Sequence, residues 1–129
     1  MKKKMNIAVI GLGNIGSYFY NYLRMNKNNL FNKTNTIPII RYVSARSLAK
    51  KRDFKISKKL WLKNCFLAPK IKEVDIIVEL IGGAEGAAKK LVFEALKNKK
   101  HVVTANKALV AKYGDQLSRI AEKNKVNFE

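Results

Sequence analysis

Two short stretches hold the residues whose types and spacing suit them for chemistry. The first is GLGNIG at residues 11–16, three glycines in the spacing GxGxxG. Each glycine has its own physical reason. Gly11 permits a tight turn, Gly13 lets the backbone approach a pyrophosphate, and Gly16 lets a helix pack closely on a strand, while a helix amino terminus offers free N–H groups to the anion. A glycine turn can also be only a turn, so placement decides. The second stretch is HVVTANKALV at residues 101–110, which begins like a buried strand and turns abruptly polar at Thr104, Asn106 and Lys107. Isolated, Lys107 is a surface lysine; beside a dinucleotide crevice it is a candidate catalytic residue.

Between these stretches stand further candidates. In a site that prefers NAD, the second strand ends near an Asp or Glu that accepts from the ribose 2′-hydroxyl. Here the strand IPIIRYV (37–43) is followed by Arg46, Lys50, Lys51 and Arg52, with no acid until Asp53. Cations would welcome a 2′-phosphate, so NADP is the expected cofactor and NAD the lesser one, with Arg46 the leading phosphate ligand. A bland cause competes, because 27 of 129 residues are Lys or Arg and about one position in five is basic by composition alone. Ile81, Gly82 and Gly83 end another apolar run, either as a plain turn into a helix or at the crevice where open α/β sheets bind ligands. Glu79 precedes them, as a structural carboxylate or as a partner for a nearby lysine; the structural role is favoured.

The elements that must position these residues follow from hydrophobic periodicity. MNIAVIGLGNIG is an apolar run ended by glycines, the pattern of a buried parallel strand entering a tight turn. Ile15, Tyr18, Phe19, Tyr22 and Leu23 then fall on one face of a helix. Residues 26–36, polar and asparagine-rich, read as an exposed loop before the second strand, in which Pro38 stands near the start, where a missing N–H is tolerable. Residues 60–72 fit a short helix, a strand or a packed loop equally well. VDIIVELIGG (74–83) reads as a strand, and Ala88, Leu91, Val92, Ala95 and Leu96 as one helical face. HVVTA is a strand, NKALVAKY a helical turn broken by Gly114, DQLSRIAEKN a helix capped by Asp115, and VNFE a last strand. Alternating strands and helices predict an α/β fold with a mainly parallel sheet and helices on both faces.

Composition bounds the rest. A chain of 129 residues fits one domain, and 47% apolar residues interleaved with polar ones is a globular composition. No stretch approaches the ~20 apolar residues of a membrane helix. MKKKMNIAVIGLG imitates a signal peptide, but Asn6 and the glycines interrupt it and no small-residue cleavage site follows, so a cytoplasmic amino terminus is expected. One cysteine, Cys65, excludes an internal disulfide, and with one histidine, His101, it leaves no cluster for zinc; both read as packing residues. The net charge of +18 invites an anionic partner. Lysine and asparagine abound along the whole chain, as in NKNNLFNKTN, which is a compositional bias rather than one arginine-and-aromatic patch, so neither a specific nucleic acid nor a membrane is expected as a partner.

GLGNIG, VSAR with its basic successors, VDIIVELIGG and KHVVTANKALVAKYG, in that order and spacing, resemble the amino-terminal NAD(P)-binding domain of homoserine dehydrogenase. The similarity covers nearly the whole chain, apart from about residues 24–40 and 52–72. It implies a Rossmann-type, doubly wound domain over residues 1–129. It also implies a cytoplasmic oxidoreductase that interconverts L-aspartate 4-semialdehyde and L-homoserine with NAD(P)H, on the aspartate pathway to threonine, methionine and isoleucine. Carried over by position, Leu12, Gly13, Asn14 and Ile15 would hold the pyrophosphate and Arg46 would meet the adenosine ribose or its 2′-phosphate, with Gly11, Gly16, Lys50 and Lys51 counted among the cofactor-binding residues. Ile81, Gly82 and Gly83 would border the nicotinamide, Thr104 and Asn106 would shape the pocket, and Lys107 would reach toward nicotinamide and substrate. Family members continue into a domain for substrate binding and dimerisation that carries a second catalytic lysine, and they are expected to be homo-oligomers. Glu129 falls at a position of the family's sodium site whose companion ligands come later. The 129 residues alone would therefore bind cofactor without turnover. Two other readings compete: a dinucleotide-sensing regulatory module, which shares GLGNIG but has no need of TANK, and a basic nucleic-acid-binding domain, which rests on charge alone.

Overall fold

The computed structural model describes residues 3–47, 52 and 54–129. Lys50, Lys51 and Asp53 lie outside the described residues. Strand β1 (Lys3–Ile10) runs through the middle of a four-stranded sheet with β2 (Thr36–Ser44) on one side and β3 (Ile76–Glu79) and β4 (His101–Thr104) on the other. The order is β2-β1-β3-β4 and every pairing is parallel. Two single bridges extend the sheet, Trp61 beside Val43 at one edge and Phe128 beside Val102 at the other. Pro38 pairs opposite Met5 within β2, and it is tolerated there because β2 has no full strand on its outer side.

Alternation along β1 divides the core. Ile7 and Val9 pack with Tyr20, Leu23 and Val43 on one face; Ala8 and Ile10 pack with Leu91, Val92, Leu109 and Leu117 on the other. Helix α1 (Asn14–Met25) covers the first face, while α3 (Ala87–Lys97) and α4 (Lys107–Asn124) cover the second. The expected Rossmann-type sheet with helices on both faces is what the chain forms. The chain leaves β1 toward β2 by α1, whereas β3 lies on the opposite side of β1. This change of direction opens a crevice at the carboxyl ends of β1 and β3, where sheets of this kind hold their ligands.

Four local expectations are corrected. Of the predicted face of α1, Leu23 is buried and Phe19 packs against the core, but Ile15 (62%), Tyr18 (71%) and Tyr22 (44%) are exposed, and the buried face is Gly16, Tyr20 and Leu23. Residues 26–36 hold a helix, α2 (Lys27–Thr34), which has no buried residue and ends with Asn35 in the left-handed conformation. Leu30 and the Thr34 hydroxyl, which donates to the Leu30 carbonyl at 2.7 Å, help fix it. Gly114 does not break the last helix. Burial of Leu109, Leu117 and Ala121 along one face of α4 outweighs the ~1 kcal/mol that a mid-helix glycine costs, so Asp115 is interior to the helix and Asn106 caps it. VNFE forms one bridge rather than a strand, although its backbone hydrogen-bonds along β4 and His101 Nδ1 accepts from the Asn127 N–H at 2.9 Å. Within residues 60–72, Leu60 ends a short 3-10 turn (Lys58–Leu60) and Cys65–Lys70 form a second one.

Candidate functional site

The glycine turn stands where β1 meets β3. Gly11 has φ of +105°, and a Cβ there would lie 2.6 Å from the Leu80 backbone. Its N–H donates to the Ser44 carbonyl of β2 at 2.8 Å, and the Leu80 N–H donates to the Ile10 carbonyl at 2.8 Å, so the turn is anchored to strands on both sides. A Cβ on Gly16 would fall 1.9 Å from the Gly11 carbonyl oxygen, which is why the helix must carry glycine where it crosses the turn. Gly13 is different, because a Cβ there would meet nothing within 4 Å. The protein's own packing accounts for two glycines of the motif; the third faces open space at the start of α1, as a close-approaching pyrophosphate requires.

Beside this turn lies a cleft of about 770 Å³. Gly11, Leu12, Gly13, Arg46 and Ile81 line it, as the sequence leads one to expect. Ser44, Ser47, Arg52, Lys63, Asn64, Cys65 and Phe66 also line it; Ser44 belongs to the VSAR motif and Arg52 to its basic successors, and the others have no assigned site role in the sequence. Arg52 donates to the Ser47 carbonyl at 2.9 Å, and its guanidinium lies 5.5 Å from the centre of the Trp61 ring. Lys63 to Phe66 come from the segment whose periodicity fits no single element, so no sequence signal marks them. The Cys65 thiol is half-buried and burial pushes its pKa up, which leaves it a packing group rather than a nucleophile. A second groove, of about 180 Å³ between α1 and β2, lies away from these residues.

The other predicted residues gather at the ends of β3 and β4 in a ring of hydrogen bonds. Glu79 is fully buried, and its Oε2 accepts from the backbone N–H groups of Ile81 (2.7 Å) and Gly82 (3.0 Å). Oε1 accepts from the Thr104 hydroxyl at 2.5 Å. The Thr104 oxygen accepts in turn from the Asn106 N–H at 3.0 Å, and the Asn106 side-chain amide donates to the Gly83 carbonyl at 2.6 Å. Asn106 Oδ1 accepts from the Leu109 N–H at 3.0 Å and so caps α4, whose first residue is Lys107. A buried carboxylate is costly unless its oxygens are satisfied, and three donors satisfy this one. Glu79 is therefore the structural carboxylate that was favoured from its place in the strand. Gly82 and Gly83 hold φ of +92° and +83°, which lets their backbone turn toward these partners.

Lys107 is exposed, and its ammonium makes no hydrogen bond or ion pair among the described residues. Its position is electrostatically uphill, since a helix amino terminus favours anions. Glu85, in the loop after Gly83, ties that loop to α4. Its carboxylate accepts from Lys112 at 2.6 Å and from the Tyr113 hydroxyl, and these bonds hold its pKa down at about 2. Asn14 and Ile15 are exposed in the first turn of α1. Glu129 is exposed, and among the described residues no three His, Cys, Asp or Glu side chains gather into a group that could hold a metal ion.

Residues 11–129 match the family model described as the NAD-binding domain of homoserine dehydrogenase. The homoserine dehydrogenase of Bacillus subtilis is 34% identical over 122 residues, which span 95% of this chain and 28% of the relative. That of Neisseria gonorrhoeae is 37% identical over 124 residues, 96% of this chain and 28% of the relative. The solved homoserine dehydrogenase of Staphylococcus aureus superposes with a TM-score of 0.90 at 35% identity, over 100% of this chain and 32% of its own. The chain thus spans under a third of the length of these relatives.

Proposed function

The chain belongs to the homoserine dehydrogenase NAD-binding domain family, and on that premise we propose that it is the cofactor half of an enzyme interconverting L-aspartate 4-semialdehyde and L-homoserine. The observation that carries this reading is Gly13. It is a glycine of the fingerprint that the chain's own packing does not require, at the lip of a cleft whose other side leads to Ile81 and the Glu79 ring. The residues present fit a dinucleotide. Backbone N–H groups at the start of α1 would receive the pyrophosphate, and Arg46 the adenosine ribose with its 2′-phosphate. Arg52 and Lys63 on the same cleft add positive charge, and no acidic side chain lines it among the described residues, which supports preference for NADP over NAD.

When bound, the dinucleotide supplies or accepts the hydride. Ile81, Gly82 and Gly83 would bound the nicotinamide side, and Lys107 would donate a hydrogen bond to the aldehyde oxygen as negative charge develops there. The second lysine and most substrate contacts would come from the part of the enzyme outside the aligned span, so these 129 residues bind cofactor without turnover. Calorimetric titration with NADPH and NADH tests the reading: saturable binding is expected, tighter for NADPH, and no heat at millimolar ligand would sink it. Replacing Arg46 by Ala should weaken NADPH about tenfold and NADH much less.

A further inference from the structure

Glu79 is fully buried and does not line the cleft, yet every residue proposed for the nicotinamide side is connected through it. We propose that Glu79 is a positioning residue, which with Thr104 sets the Ile81–Gly83 loop and Lys107 in one fixed relation before a ligand arrives. This rests on the cofactor reading above.

The chemistry of the groups gives the network one direction. The Thr104 hydroxyl donates its proton to Glu79 Oε1. Its lone pair is then left for the Asn106 N–H. Asn106 is fixed as well, because its amide N–H₂ faces the Gly83 carbonyl and its oxygen the Leu109 N–H; a flip would oppose like groups at both ends. Two backbone donors converge on the other Glu79 oxygen. A glutamine does not reproduce it: with its oxygen on the two backbone N–H groups, its N–H₂ would donate to the Thr104 oxygen and leave the Thr104 proton without this acceptor, and turned the other way its N–H₂ would oppose the two N–H groups. Buried, fully satisfied networks of this kind rigidify what they connect. Here the connected parts are the ends of two adjacent strands, β3 and β4, and the first turn of α4.

A purely structural role would weaken all ligands together or lower stability alone. A positioning role acts on one half of the dinucleotide. The test is therefore a comparison of affinities in the 129-residue chain. One ligand is whichever of NADPH and NADH binds more tightly, and the other is its adenosine half, 2′,5′-ADP or ADP. Glu79→Gln should weaken the whole dinucleotide about tenfold or more while the adenosine half changes less than about twofold, since either orientation of the amide leaves a buried donor of the network unsatisfied. Thr104→Val should do the same, and Thr104→Ser, which keeps the hydroxyl, should restore wild-type affinity. If Glu79→Gln does not fold, the Thr104 pair gives the same answer. An equal loss of both ligands, or no change in Thr104→Val, overturns the positioning role. Absence of binding by the wild-type chain overturns the cofactor reading and this role with it.

Discussion

Helices α1 and α4 both begin where a parallel strand ends, β1 and β4, at the carboxyl edge of the sheet, but their first turns are treated in opposite ways. The start of α1 has Gly13 as its cap, no side-chain hydrogen bond to its N–H groups and no acid in the first turn. The start of α4 is filled by Asn106, which caps Leu109 and ties back to Gly83, and it carries a cation against the helix dipole. One terminus leaves its donors for a ligand's anion. The other spends them on the protein's own groups and presents Lys107 instead. On the proposed function the difference separates binding from chemistry: the first helix start would gain stability from a ligand, and the second is already organised by the protein's own hydrogen bonds.

Four substitutions test that contrast, from the largest effect on stability to the smallest. Gly16→Ala puts a methyl onto the Gly11 carbonyl, so denaturant unfolding should show a loss at or above the top of the ~1–3 kcal/mol range for overpacking. Asn106→Ala removes a cap and leaves the Gly83 carbonyl unbonded, for a loss of about 1–2 kcal/mol in the same assay. Gly13→Ala should cost less, about 0.5–1 kcal/mol, because a Cβ there meets nothing within 4 Å and the loss is only that of a poorer helix cap. Dinucleotide affinity should fall at least about tenfold in the same variant, and equal stability losses in Gly13→Ala and Gly16→Ala would erase the contrast. Lys107→Gln should stabilise the chain by about 0.3–1 kcal/mol by relieving the helix start, while the equivalent change in the whole enzyme slows turnover.

The Glu85 strap that holds the loop after Gly83 to α4 should show in the pH dependence. Its folded pKa of about 2 lies below the ordinary 4.5, so its contribution is fully present above about pH 4.5 and drains away as pH falls through 2. Melting temperatures measured from pH 5 downward should fall less steeply for Glu85→Gln than for the wild type. Identical slopes would mean that the exposed strap contributes nothing measurable.

How far the sequence discloses this arrangement depends on what each residue had to satisfy. The four strands β1 to β4 and the α3 face were legible because apolar runs and an uninterrupted 3.6-residue pattern mark them, whereas VNFE is too short and too polar to show that it forms only a bridge. The α1 face was misplaced because aromatic and aliphatic residues surround that helix, and periodicity alone cannot choose among them. Gly16 could have chosen: once its contact with the Gly11 carbonyl fixes the rotation, Tyr20 and Leu23, four and seven residues on, must face the sheet. Helix α2 was hidden because asparagine is a poor helix former and Leu30 and Phe31 are too few to set a period. Gly114 pointed to a break that the burial of Leu117 and Ala121 overrides. At the crevice, the glycines, Thr104, Asn106 and Lys107 were visible as motifs, whereas Lys63 to Phe66 reach the cleft only through the folding of an aperiodic segment.

The stripe left outside on α1 has a consequence for how the chain behaves in bulk. Ile15, Tyr18, Tyr22 and Met25 recur at intervals of three, four and three residues on solvent-facing helix, and from Met5 to Leu23 no residue carries a charge. The net charge of +18 holds molecules apart only as far as the ionic atmosphere permits, roughly 10 Å at 0.1 M salt and less above it. Dilute buffer should therefore keep the protein clear, and added salt, which ordinarily helps a basic protein shed contaminating polyanions, should turn the solution cloudy.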